Sequence, residues 1–220
     1  MIGSALIFDA YAHSDIFGKL IFLALFTISI LSWVLLVYKI WFMYTTKKLS
    51  NEFYALFHHN KEALFSLDTL PIPTHKEVPN SFFELYYTLK LQTLEILNKN
   101  KISLQESDKV YLSSPDIEFI ETQLYTKASA HKKSLEKYLF VLSTVVTLAP
   151  FLGLLGTVWG ILVTFGDLNS IGANNNIALS GLSMALATTV LGLVVAIPAL
   201  ISYNYLKNNI NDFVTDMEHF

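Results

Sequence analysis

Hydrophobic positions along this chain collect into three long runs, and the segments between them carry the spacing of amphipathic helices. Leu20 to Tyr38 contains 19 residues without a charge, bracketed by Lys19 and Lys39, with Trp33, Tyr38 and Trp41 placed to anchor one membrane interface. Tyr138 to Gly166 is also free of charge, and a third apolar stretch lies between Ile177 and Tyr203, with Tyr203 and Tyr205 at its exit. A run of about 20 apolar residues crosses the hydrocarbon core of a bilayer, so each is read as a spanning helix.

Between the first two runs the pattern becomes that of helices in water. Leu49, Phe53, Leu56 and Phe57 recur at helical spacing and the pattern continues to Phe65, before Pro71, Pro73 and Pro79 break it. The first helix is therefore expected to run well beyond the membrane. Phe82, Leu85, Leu89 and Ile96 lie near one face of a second helix, Phe82 to Leu97, ended by Asn98 to Asn100. Ser114-Pro115-Asp116 opens a third: serine can cap, proline suits the first helical position, and aspartate complements the helix dipole. Ile117, Ile120, Leu124 and Leu135 then lead into the second run with no breaker between, which predicts one rod from Pro115 to about Phe165, half in water and half in lipid. The expected fold is all-α, an integral membrane protein with three transmembrane helices, two of them extended into a helical cytoplasmic domain. Its expected divisions are an outer segment 1–18, spans at 19–40, 138–166 and 177–203, a cytoplasmic helical region 41–137, an outer loop 167–176 and a cytoplasmic tail 204–220.

Composition agrees with that class. Hydrophobic side chains make up 53% of the 220 residues and charged ones 15%, with mean hydropathy +0.45, which excludes an ordinary soluble domain. There is no cysteine, hence no disulfide framework and no thiolate metal site. Every basic side chain is lysine, which disfavours bidentate recognition of phosphates or bases, and the net charge of -3 adds nothing for a nucleic-acid partner. Met1 to Ala12 lacks a positive leader, its early charges being Asp9 and then Asp15, so it is read as retained. Twelve of the fifteen lysines fall between Trp41 and Lys137, whereas the first eighteen residues and the Asp167 to Asn176 linker have none. Lysine excess marks the cytoplasmic side, which puts the N-terminus outside and the C-terminus in the cytoplasm.

Glycine and threonine mark where chemistry can sit. Gly153, Thr157, Gly160 and Thr164 share one face of the second span, and Gly181, Ala185, Thr189, Gly192 and Ala196 do so on the third. Small residues let helix backbones touch, and Gly156 with Gly160 adds the G-x-x-x-G spacing of close membrane pairing. These stripes serve packing alone or packing around a path. Thr157 and Thr189 lie at comparable depth on the stripes, where each hydroxyl either bonds back to its own helix or faces water, an ion or a partner. No Asp, Glu, Lys or His lies within the three apolar cores, and proton relays ordinarily need such a group, so a carboxylate for proton transfer must come from a second polypeptide.

APFLGLLGTVWGIL in the second span and GLSMALATTVLGLVVAIPALISYN in the third resemble the TolQ/ExbB proteins, more distantly MotA, over Leu148 to Asn204. The resemblance implies a pentameric ring in a bacterial inner membrane around two helices of a TolR/ExbD-like partner, whose membrane aspartate carries protons. Force then reaches a TolA- or TonB-like protein acting on the outer membrane. It carries a proton-path or partner-facing role to Thr157 and Thr189, and matches Pro150 and Pro198 to family positions. Where the family commonly reads G-I-A-E-A-L, this chain has Met184 in place of glutamate. Either that glutamate is dispensable or structural, with a flexible thioether filling the space, or this branch conducts differently. General length and layout lean toward TolQ, with envelope integrity and division as the task; the ExbB alternative energises TonB-dependent import. No cofactor is implied. A passive membrane scaffold is the alternative from another class. An enzyme is not indicated, since the spans lack a Ser/His pair, an Asp pair or an H-E-x-x-H motif. His58, His59, His75 and His131 form no arguable ligand set, and Lys132, Lys133 and Lys137 are placed to meet lipid headgroups.

Overall fold

A computed structural model describes residues 10–12, 14–59, 78–103, 111–168 and 175–220, with the side chains of 167–168 and 175–180 left aside. Five helices order the chain: α1 Ile16–His59, α2 Ser81–Ser103, α3 Ser114–Glu136, α4 Leu139–Leu168 and α5 Asn175–His219. Among the described residues there is no strand. Three of the helices, α1, α4 and α5, are long and apolar enough to cross a membrane. The expected extension of the first helix past its apolar run holds to His59; Phe65, Pro71, Pro73 and His75 lie outside the described residues.

The chain divides into two compact units, one formed by Met1–Tyr38 with Tyr138–Leu206 and the other by Lys39–Lys137 with Lys207–Phe220. In the first, only 22%, 33% and 33% of the apolar windows of α1, α4 and α5 are buried, so most large apolar side chains face outward. Phe26, Phe140, Phe151, Leu186 and Ile201 are among them. A soluble protein does not leave such a surface uncovered; lipid or other protein must meet it. The buried line is narrow and includes Ile21, Leu25, Leu142, Ala149, Ala185, Thr188 and Ala199.

The second unit is built like a soluble helical domain. Phe53 on α1 is 1% exposed and packs against Phe83 and Tyr86 of α2, with ring centroids 5.5 and 5.7 Å apart. Phe82 meets Phe213 of α5 at 5.7 Å. Burying rings of this size dominates the stability of a small domain. Lys47 Nζ donates to Asn209 Oδ1 at 3.0 Å, and Asn80 Nδ2 to the Leu49 carbonyl at 3.1 Å, which ties α1 to α5 and to the start of α2.

Three local expectations are corrected. The rod from Pro115 to Phe165 is interrupted between α3 and α4, where Tyr138 takes a left-handed conformation with φ 70. Lys137 N–H bonds back to the Ser134 carbonyl at 3.3 Å, and Lys39 Nζ reaches the Leu135 carbonyl at 2.8 Å. These bonds satisfy carbonyls that an uninterrupted helix would have paired with its own N–H groups. Asn98 and Asn100 do not end α2, which continues to Ser103. The cap of α3 is Ser113, one residue before the serine expected: its hydroxyl accepts from Asp116 N–H at 3.4 Å while its own N–H donates to Asp116 Oδ2 at 2.9 Å. That reciprocal pair is a capping box, with aspartate at the third position.

Candidate functional site: the seam between α4 and α5

The small-residue stripes meet each other inside one chain. A Cβ built on Gly192 would lie 2.6 Å from the Ala149 carbonyl oxygen, and one on Gly153 would lie 3.1 Å from Thr189 Cα. A Cβ on Gly160 would come within 2.7 Å of the Gly181 carbonyl oxygen and 2.9 Å of Ala185 Cβ. On Gly156 it would strike the Thr188 side chain, and on Gly181 the Thr164 hydroxyl. Residue numbers rise on α4 as they fall on α5, so the two helices run antiparallel along a seam that only hydrogen side chains permit. Ala185 and Ala196 are buried, at 1% and 6% exposure. Pro150 and Pro198 sit inside α4 and α5, each removing the N–H that would reach the carbonyl four residues earlier.

Thr157 and Thr189 are half-buried. Thr157 Oγ1 donates to the Leu154 carbonyl of its own helix at 2.6 Å. Thr189 Oγ1 donates across the seam to the Gly153 carbonyl at 3.3 Å. A hydroxyl that donates in this way keeps its acceptor lone pairs, so both remain able to receive a proton donor from water or from another helix.

Two features were not singled out from sequence. Thr188 is fully buried, and its hydroxyl lies 2.9 Å from the Ala185 carbonyl, 3.1 Å from that of Met184 and 3.5 Å from that of Gly153. The signal in the sequence is the adjacent pair Thr188-Thr189, whose two hydroxyls project in different directions from one helix. The other feature is Asp15. Its Oδ1 accepts the Gly18 N–H at 2.9 Å, capping α1, and its Oδ2 accepts from Trp159 Nε1 at 2.9 Å. No spacing rule links positions 144 residues apart. Asp15 and Lys19 are the charged groups among the described side chains of this unit.

Met184 is 2% exposed and clusters with Ala10 and Phe22, with Trp159, Ala187 and Leu191 against it. A Cβ on Gly18 would collide with its thioether. The side chain thus fills an apolar space on the α1 side of α5. Outside the spans, His131 in the second unit is 7% exposed, with Nε2 3.3 Å from Glu84 Oε2 and Nδ1 3.5 Å from Ser81 Oγ. Lys127 Nζ shares that carboxylate oxygen at 2.9 Å. Burial lowers the pKa of His131 against the opposing pull of Glu84, and Lys127 lowers it further. Among the described residues no three His, Asp or Glu side chains come together as metal ligands would.

The sequence profile of the MotA/TolQ/ExbB proton channel family matches residues 95–219, which includes the entire seam. The biopolymer transport protein ExbB of Aquifex aeolicus is 44% identical over 88 residues, 40% of this chain and 60% of that protein. The ExbB of Pseudomonas putida is 30% identical over 202 residues, covering 91% of this chain and 56% of its own length. The ExbB of Salmonella typhimurium is 25% identical over 212 residues, 94% of this chain and 80% of that protein. This chain therefore spans little more than half the length of the Aquifex and Pseudomonas relatives.

Proposed function

This chain belongs to the MotA/TolQ/ExbB proton channel family, and we propose that it is an ExbB-like subunit that helps turn the proton gradient of a bacterial inner membrane into work on the outer membrane. Copies form a closed ring, five in number by family resemblance, around the helices of an ExbD-like partner. A TonB-like protein takes up the force. The N-terminus lies outside and the second, polar unit lies in the cytoplasm, following the lysine distribution.

The observation that carries this proposal is the seam with half-buried Thr157 and Thr189 and no charged side chain along it. Such a wall offers hydroxyl acceptors to a mobile carboxylic acid without a fixed charge that would hold it in place. Protons then move on the partner's carboxylate, and the threonines line the wall it faces. The ExbB names of the relatives favour this task over the TolQ-like one to which length and layout leaned. Met184 serves as a packing group, buried against Ala10 and Phe22.

Deleting this gene in its source bacterium separates the tasks. Loss of TonB-dependent uptake with intact division supports the ExbB-like role, and chained or leaky cells with intact uptake return the assignment to TolQ. No phenotype in either process, together with failure to retain a single-span partner, favours a passive scaffold.

A further inference from the structure

The second unit holds a hollow of about 280 Å³ between the end of α1, the helices α2 and α3, and the end of α5. We propose that it receives a lysine or arginine side chain from the cytoplasmic end of the single-span partner. The inference rests on the ExbD-like partner proposed above and says where that partner's cytoplasmic end docks.

On α3, Glu121, Leu124, Tyr125 and Ala128 fall on one helical face, and that face lines the hollow. The floor is apolar, with Leu85, Ala128 and Met217 all buried. Phe57, Tyr86 and Phe220 form an aromatic wall, the Phe57 centroid lying 4.7 Å from that of Phe220 and 6.2 Å from that of Tyr86. The rim differs in kind: Glu121, Tyr125 and Glu218 are exposed, and the charged side chains among the described lining residues are the two glutamates. A long basic side chain uses all three zones. Its methylene stem packs on apolar surface while its head stays at the water boundary, a ring face attracts the cation, and carboxylates pair with it. An anionic ligand would meet two like charges. Small-ligand sites begin at about 300 Å³, so the hollow suits a side chain rather than a bulky cofactor.

Membrane topology indicates what supplies that side chain. A single-span protein leaves one end in the cytoplasm, and lysine and arginine collect at cytoplasmic flanks. The lysine distribution of this chain puts its second unit on the same side.

The test uses the full chain in nanodiscs and a synthetic peptide copying the cytoplasmic end of the candidate partner. Glu121→Gln with Glu218→Gln is expected to weaken peptide binding by about 2- to 30-fold, as two partly exposed ion pairs would, and to flatten its salt dependence. Glu121→Lys with Glu218→Lys abolishes binding, and a peptide whose basic residues are changed to glutamate binds that variant again, an exchange that a damaged fold does not produce. In cells expressing the intact complex, Tyr125→p-benzoylphenylalanine crosslinks to the partner's cytoplasmic end. Binding unchanged by the glutamine substitutions, no recovery on charge exchange, or a crosslink from position 125 to this chain itself or to lipid overturns the proposal. Should the lysine variant fail to fold, the crosslink, made with both glutamates in place, decides. A partner that is retained while its cytoplasmic end neither binds nor crosslinks here removes this site and leaves the proposed function standing; a wild-type chain that retains no partner removes both.

Discussion

Gly156 is one of the tight points of the seam, because the Thr188 side chain already fills the volume a methyl group would need. Gly156→Ala is expected to destabilise the α4–α5 pairing by about 1–3 kcal/mol, as overpacking of a filled interface does. The check is a lower detergent unfolding temperature with the spans still inserted. Met184→Glu places a carboxyl group where Phe22 and Ala10 pack, so the yield of folded protein should fall without a gain in coupling. Restored coupling in an otherwise inactive system would show instead that the family glutamate is needed. Thr157→Val and Thr189→Val should assemble with the partner yet lose proton-driven activity, and full activity in both makes them packing groups. The glycine stripes were legible from spacing because helical periodicity fixes a face. Which of two adjacent threonines turns inward was not, since that depends on helix rotation against α4. The Asp15 to Trp159 bond was hidden for another reason: it joins chain positions that only the tertiary arrangement brings together.

At the scale of the element, α3 is the helix whose ends are most explicitly specified. Ser113→Ala removes a reciprocal cap and should cost about 1 kcal/mol, read as faster hydrogen exchange over residues 114–118. The Ser113 hydroxyl and N–H hold the Asp116 carboxyl below its ordinary range, so this cap holds at neutral pH and weakens only in acid. His131 predicts a pH dependence of α2 against α3. Burial lowers its folded pKa below the ordinary histidine value of 6.5, so the unfolded chain takes up the proton first as pH falls. Stability is therefore full above about 6.5, declines as pH drops below it, and the loss is complete below the folded pKa. Hydrogen exchange at pH 7.5 and 5.5, corrected for intrinsic rates, should show protection across α2 and α3 reduced at the lower pH in the wild type and unchanged in His131→Phe; an equal reduction in both assigns the effect elsewhere. Sequence periodicity located α2 and α3 but misplaced their limits. Asn98 and Asn100 are weak helix formers that a helix can carry, and the interruption at Tyr138 involves neither glycine nor proline. Its carbonyls are met instead by Lys137 N–H and Lys39 Nζ, the latter a donor 96 residues away, which no local rule reveals.

For the whole molecule, the outward apolar surface of α1, α4 and α5 and the soluble-type core around Phe53 assign two solvents to one chain. Charge-free runs made the spans and the all-helical class legible from sequence, because bilayer thickness imposes a length that few other structures need. The division of labour among family members was not legible, since ExbB-like and TolQ-like tasks share the same membrane chemistry and differ in what their partners touch. The central claim is that this chain forms a ring whose proton path is completed by a carboxylate from another polypeptide. The most direct measurement is native mass spectrometry of the chain co-expressed with its candidate single-span partner, paired with proton flux for that partner and for its membrane Asp→Asn variant. A closed ring that holds partner helices, with flux abolished in the variant, is the predicted result. A ring or monomer that never retains the partner, or flux unchanged by the variant, contradicts it.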